Sequence, residues 1–154
     1  MAKSHQAKSQ ISLEYLLIVA LTFAIIIPTT YLFYNYSKES TKEITDAQIT
    51  KIGRVIVDSS EAIFYSGVGS KTVLELNMPG NINSVVIVDG RELVFNVTSS
   101  YDVSEIVFFS AVNMTTTSSN CNANVCTLPN LPASGLKQVK IEAINKDSVS
   151  IDTI

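Results

Sequence analysis

Glu14 is the residue near the start of the chain that most clearly could have a chemical role, because it begins a long segment that carries no other charge. An acidic side chain costs about 2.5 to 3.5 kcal/mol in mid-membrane and less at an interface, where contact with water is its plain explanation. Cleavage between Ser9 and Gln10 would create an amino group about one helical turn before Glu14. That amine and the carboxylate could neutralise each other, within one chain or between staggered neighbours.

Cys121 and Cys126 are the only two cysteines, and they lie in a stretch rich in Asn, Thr and Ser. In an oxidising compartment outside the cell two such cysteines pair, and with two there is one connectivity. We therefore predict a disulfide that closes a short loop.

The composition excludes several classes of function. His5 is the only histidine and tryptophan is absent, so the sequence predicts no metal site, no cofactor and no catalytic centre. Lys3 and Lys8 account for two of the 11 basic residues, which leaves nine against 14 acidic residues in the rest of the chain. Such an acidic body has no basic patch for nucleic acid. We expect neither an enzyme nor a protein that requires nucleic acid.

Three Asn-x-Ser/Thr triplets, the acceptors of N-glycosylation, begin at Asn35, Asn96 and Asn113. Such triplets also arise by chance in a chain rich in Asn, Ser and Thr. Asn96 is the best placed, on the outer face of a predicted strand, and Asn113 is next. Asn35 lies at the edge of the apolar segment, where an enzyme would be hindered.

The element that positions Glu14 is a helix, since residues 15–37 contain no charge over 23 positions. A helix of that length reaches about 34 Å, enough to cross a bilayer core. A cleaved secretory signal fits poorly because its apolar region should be shorter and end at small residues. A permanent single-pass anchor remains open, as does a segment that lies first in the membrane and later in the core of a filament.

The residues Lys8-Ser9-Gln10-Ile11-Ser12-Leu13-Glu14-Tyr15, followed at once by the apolar helix, resemble the class III signal peptide of archaeal type IV pilins. The resemblance implies that residues 1–9 are a leader, which a membrane prepilin peptidase removes by cutting between Ser9 and Gln10. It also assigns processing and assembly to Lys8, Gln10, Ser12, Glu14 and Tyr15.

The same resemblance implies a function, which we state as an expectation. The precursor would sit in the cytoplasmic membrane with its N-terminus inside, and would then polymerise with identical subunits, through the N-terminal helices, into an extracellular adhesive filament. An assembly ATPase and a membrane platform protein are the other implied partners. A minor or accessory pilin and a single-pass anchored extracellular binding module are the alternatives, and the second of these leaves the pattern of residues 10–15 unexplained.

The helix is expected to continue to the glycines at 67 and 69. Pro28 should kink the transmembrane and filament-core part, residues 10–37. Residues 38–66 are amphipathic: the apolar side is predicted to carry Ile44, Ile52, Val55, Ile56 and Ile63, and the other side Lys42, Glu43, Asp46, Lys51, Arg54, Asp58 and Glu61.

Residues 70–154 follow the period of two that is typical of strands with one wet face, at residues 93–98, 138–143 and 148–152. Asp89-Gly90 and Asn145-Lys146-Asp147 are predicted turns. The uncharged stretch between Met114 and Leu136 is predicted to be a polar surface excursion. The sequence thus predicts an α+β fold, with a long pilin-like N-terminal helix packed against an antiparallel sheet of five or six strands that forms the head.

Overall fold

A computed structural model describes residues 4–98, 103–117, 121–122 and 124–154, with side chains from Leu13 onward. Helix α1, Ser4–Ser66, begins six residues before the predicted start and ends where the glycines were expected to end it. Gly67 and Gly69 have φ of 100° and 86°, a region that glycine enters at little cost, and the Gly67 amide donates to the Phe64 carbonyl at 3.2 Å. The predicted stop is confirmed.

The chain divides into two compact units, residues 1–42 and residues 43–154. The first unit is helical throughout its described part. The most hydrophobic 18 residues of the helix have a mean hydropathy of 2.3, and none of them is buried. By length and composition the helix could cross a membrane.

The second unit, which we call the head, contains the rest of α1. Its buried stripe recurs at intervals of three and four residues, the spacing of one helix face, and consists of Ile49, Ile52, Gly53, Ile56, Val57 and Ser60. Ile52 and Ile56 were predicted correctly. Ile44 was not: it is 59% exposed. At 100° per residue Ile44 lies on the opposite side of the helix from Ile49. It was predicted on the buried side because it is hydrophobic, although its position in the helix does not fit.

The described part of the head contains nine strands: β1 Lys71–Met78, β2 Ile82–Val88, β3 Glu92–Thr98, β4 Val103–Phe109, β5 Asn113–Thr115, β6 Cys121–Asn122, β7 Val125–Thr127, β8 Gly135–Ala143 and β9 Ser148–Thr153. They form two sheets rather than one. The four-stranded sheet has the order β1-β8-β9-β5, and the five-stranded sheet has the order β4-β3-β2-β7-β6. All pairs are antiparallel except β5 with β9. The predicted α+β class, a long helix packed against sheets, is confirmed.

Both predicted turns form. Asp89 and Gly90 join β2 to β3 with φ of 50° and 69°, the positive values at both central residues that a type I′ turn needs. Between β8 and β9 the Asn145 side-chain oxygen accepts hydrogen bonds from the amides of Asp147 and Ser148 at 2.8 and 2.7 Å. This is the Asx geometry for which asparagine is suited.

The uncharged stretch from Met114 to Leu136 is only in part the expected surface excursion. Met114, Leu128 and Leu131 belong to the hydrophobic core, together with residues of the helix and both sheets. This stretch contributes strands to both sheets: β5 begins just before it and pairs with β9, while β7 pairs with β2. Between these buried points other described residues, such as Thr117 and Asn130, are exposed as predicted.

Strand β9 was expected to have a wet face, and this is wrong, because Ser148, Ser150 and Asp152 are all buried. The Asp152 carboxylate accepts hydrogen bonds from the hydroxyls of Thr116 and Thr117 and from the Thr117 amide, each at 2.8 Å. A buried carboxylate is tolerated when donors satisfy its oxygens. The polar residues Thr116 and Thr117 thus cover the second face of β9 at Asp152.

Candidate functional site

The apolar surface of residues 13–37 is the candidate functional site, because nearly all of its large side chains face outward. Leu16, Ile25 and Phe33 are all well exposed, and only Val19 in this segment is partly covered. An apolar surface of this extent on one helix marks a site of contact with lipid or with other protein. The core of the head is built from residues 49 onward and uses none of these side chains.

Threonines in this segment satisfy their own hydroxyl groups. Thr22, Thr29 and Thr30 each donate to the carbonyl four residues earlier, at 2.8, 2.7 and 2.8 Å. This local bond lets a hydroxyl lie in apolar surroundings without an outside partner. Hence these three threonines need no hydrogen-bond partner from outside the helix.

Pro28 lies inside the continuous helix, as the sequence requires. Proline cannot donate to the carbonyl four residues before it, so one backbone bond of the helix is missing there. The kink predicted at Pro28 stays a prediction. Beside Pro28 lies a groove of about 470 Å³, lined by Phe23, Ile26, Ile27, Thr30, Tyr31 and Tyr34. The groove is apolar and follows one side of the helix for three turns.

Lys38 ends the uncharged segment, with its amino nitrogen 4.4 Å from the centre of the Tyr34 ring. This distance is within the range of a cation–π contact. The first charge after the apolar segment thus folds back over an aromatic ring.

Glu14 and Tyr15 begin the described part of the processing motif, and both side chains are exposed. The side chains of Lys8, Ser9, Gln10 and Ser12 lie outside the described residues, although their backbone belongs to α1. The proposed scissile bond between Ser9 and Gln10 therefore lies in helical backbone.

The predicted disulfide is confirmed: Cys121 and Cys126 are bonded, with their Cα atoms 4.2 Å apart. They face each other across the β6–β7 pair, which is the edge of the five-stranded sheet. The bond fixes a two-residue strand that would be marginal alone.

The three Asn-x-Ser/Thr positions differ in their surroundings. Asn113 is exposed, and its side chain packs against Gly90. A Cβ atom at position 90 would overlap the Asn113 side chain. Asn96 is half-buried and donates to the Ser84 hydroxyl at 2.8 Å, so its amide already has a structural partner. Asn35 is exposed on the helix. Glycosylation of any of them stays a prediction.

No cluster of three metal-ligating side chains occurs among the described residues. The buried position of Asp152 was not predicted from the sequence, where an acidic residue at the end of a predicted strand is its one sign. No protein-family model, curated protein or solved structure matches this chain.

Proposed function

We propose that this chain is a structural subunit of an archaeal type IV pilus, made as a membrane precursor and polymerised through its N-terminal helix into an extracellular adhesive filament. One observation carries the proposal: residues 13–37 form an apolar helix whose most hydrophobic stretch is not buried at all, while the core of the head contains none of its side chains. Such a helix needs an apolar environment from outside the chain.

Two environments satisfy it in turn. In the precursor the helix is surrounded by lipid, and in the filament by the helices of neighbouring subunits. Because lipid tails are as apolar as leucine, the exchange is driven by packing rather than by the hydrophobic effect. The grooved surface around Pro28 supplies shape for that packing, and the threonines that bond to their own helix remain satisfied in both surroundings.

Glu14 gives the assembly its register. After removal of residues 1–9 the new amino group of Gln10 and the Glu14 carboxylate are opposite charges near one end of an apolar helix. A neighbour shifted along the filament axis can bring its amine to this carboxylate, whereas an unshifted one leaves the charge in apolar surroundings. Energy for extrusion comes from a separate ATPase and its membrane platform.

The direct test is mass spectrometry of protein sheared from the surface of cells that express the full chain. We expect a mature N-terminus at Gln10 with a free amino group; a cyclised Gln10 would support the cleavage but would remove the amine as the partner of Glu14. A mature protein that retains Lys8, or protein found only as a membrane-held monomer, would contradict the proposal and favour a single-pass anchored module.

A variant separates processing from assembly. Glu14→Ala should still be cleaved before Gln10 but should yield at least about tenfold less filament, since each subunit loses a charge pair in apolar surroundings. Glu43→Ala is the matched control, because Glu43 is an exposed glutamate of the same helix in the head. Normal filaments from Glu14→Ala would remove the carboxylate from the mechanism.

A further inference from the structure

The outward faces of the two sheets differ in chemistry. The outward face of the four-stranded sheet is held by polar contacts: the Lys140 amino group lies 3.0 Å from a Glu142 carboxylate oxygen, and the Gln138 amide donates to Glu75 at 3.1 Å. The hydrogen bond and the charge of Glu142 raise the pKa of Lys140. Val73 is the exposed apolar residue between these pairs.

The outward face of the five-stranded sheet carries an apolar row, in which Val107 and Phe109 are exposed and Val94 is buried, among polar side chains that include Asn96. Its cross-strand partners place Val107 beside Val94 and Val94 beside Val86, and place Phe109 beside Glu92. The Phe109 ring, at the end of this row, is 72% exposed. Two carboxylates, Glu92 and Glu105, lie on the same face, and neither has an ion-pair or hydrogen-bond partner among the described residues. We call this surface the Phe109 face.

The strand that borders the Phe109 face also lacks the usual protection of a sheet edge. Proteins guard edge strands by shortness or by charge, because an exposed apolar edge invites pairing. Of the four strands that end the two sheets, β5 and β6 have three and two residues, and β1 carries Lys71 and Glu75. Strand β4 has seven residues with Glu105 as its one charge. Among the described residues, β4 is therefore the long edge strand with the fewest charges.

A complementary surface exists elsewhere on the head. A groove of about 320 Å³ runs between α1 and β1, and its apolar lining is Ile52, Val55 and Leu76. Two charged residues, Lys51 and Glu75, line the same groove, and the Glu75 carboxylate accepts the hydrogen bond from Gln138. Arg54 follows Lys51 three residues later on the exposed side of the helix, with Asp58 one turn further. Within the described residues neither Lys51 nor Arg54 makes an ion pair. We call this surface the Lys51 groove.

We propose that the Phe109 face of one subunit docks in the Lys51 groove of the next, with the Phe109 ring against Ile52, Val55 and Leu76, and with Glu92 and Glu105 beside Lys51 and Arg54. The occupant is a second copy of this chain. Two Phe109 faces would not pair with each other, because that would oppose their unpaired carboxylates. Contact between two different surfaces of the same chain generates an open helical array, which is the symmetry a filament needs.

This inference rests on the proposed function, and charge reversal in the full chain tests it. The Glu92→Lys/Glu105→Lys variant should yield about tenfold less filament than wild type, since like charges would then face each other. Adding Lys51→Glu and Arg54→Glu should restore filament to within about twofold of wild type. Lys71→Glu, an exposed reversal on β1 outside both surfaces, is the control and should assemble normally.

Cross-linking gives a second measurement that does not depend on these charges. Phe109→Cys and Gln48→Cys combined in one chain should give a ladder of disulfide-linked heads in oxidised filaments, because Gln48 also lines the Lys51 groove. Each single variant should give no ladder. A ladder from Phe109→Cys alone, a cross-link to a different protein, or reversed-charge filaments that assemble normally would overturn the inference. If wild type itself forms no filament, it is the proposed function that fails.

Discussion

The two halves of helix α1 use the same kind of residue for opposite purposes. Before Lys38 the isoleucines and leucines face outward around the helix, whereas from Ile49 onward the isoleucines gather on one stripe that packs in the core of the head. Residues 13–37 contain 18 hydrophobic residues in 25 positions and residues 43–66 contain 11 in 24, so the halves differ both in hydrophobic content and in the placement of charge. Charged side chains in the second half leave one dry side for the chain's own strands, and their absence from the first half leaves every side for outside partners.

This contrast predicts that assembly and folding respond to different substitutions. A change in residues 13–37 should alter what the subunit joins and leave the head folded. A change in the buried stripe of residues 49–60 should unfold the head and affect filaments only as a consequence. Variants matched in chemistry across the two halves can test the separation.

The largest effect is expected from Ile26→Asp, in the groove beside Pro28. An aspartate in mid-membrane costs about 2.5 to 3.5 kcal/mol for each subunit, so we expect no filaments by electron microscopy of sheared material. Ile26→Leu is the control and should assemble as wild type does. The head of Ile26→Asp should retain wild-type resistance to protease. Normal filaments from Ile26→Asp would show that the apolar half is not a packing surface.

A smaller but still large effect is expected from Ile56→Ala in the buried stripe. Removing most of a fully buried isoleucine should lower the free energy of unfolding of the head by about 2 to 5 kcal/mol. Ile44→Ala deletes the same atoms from an exposed position of the same helix and should change it by less than about 0.5 kcal/mol. Pulse proteolysis of the full chain in increasing urea measures both. Equal losses from the two variants would mean that Ile44 is covered after all.

The smallest effect is expected from Gly53→Ala, where two tendencies oppose each other. Alanine favours a helix over glycine by about 0.5 to 1 kcal/mol, but its methyl group would overlap the Phe108 ring of β4. Overpacking costs about 1 to 3 kcal/mol, so we expect a net destabilisation of about 1 kcal/mol in the same proteolysis assay. Phe108→Leu should relieve the clash, so that adding Gly53→Ala to it stabilises the head. A stabilised Gly53→Ala single variant would show that the ring moves away freely.

The sequence was sufficient where the signal was local. The end of α1 at Gly67, the Asp89-Gly90 turn and the alternation in β8 each depend on neighbouring residues, and all were predicted. The cysteine pair was also predicted, because two cysteines allow one bond. The apolar helix of the candidate site followed from composition alone, since no charge interrupts it.

The failures involve residues whose environment comes from distant parts of the chain. Met114 and Leu128 lie in a stretch that resembles an exposed loop, and strands far away in sequence bury them. Asp152 follows the pattern of a wet face, yet threonines at 116 and 117 enclose it. The second sheet and the parallel pairing of β5 with β9 were not predicted for the same reason, because both depend on contacts between distant parts of the chain. The Phe109 face could not be predicted either, because it needs the register of β2, β3 and β4 together.

The position of β9 within its sheet limits the order in which the parts of the chain can fold during synthesis. This strand lies between β8 and β5, so the four-stranded sheet cannot close until residue 153 has left the ribosome. The apolar helix emerges long before, while the head is still an open chain. The order of elements along the chain therefore makes the apolar helix available before the head can complete its fold.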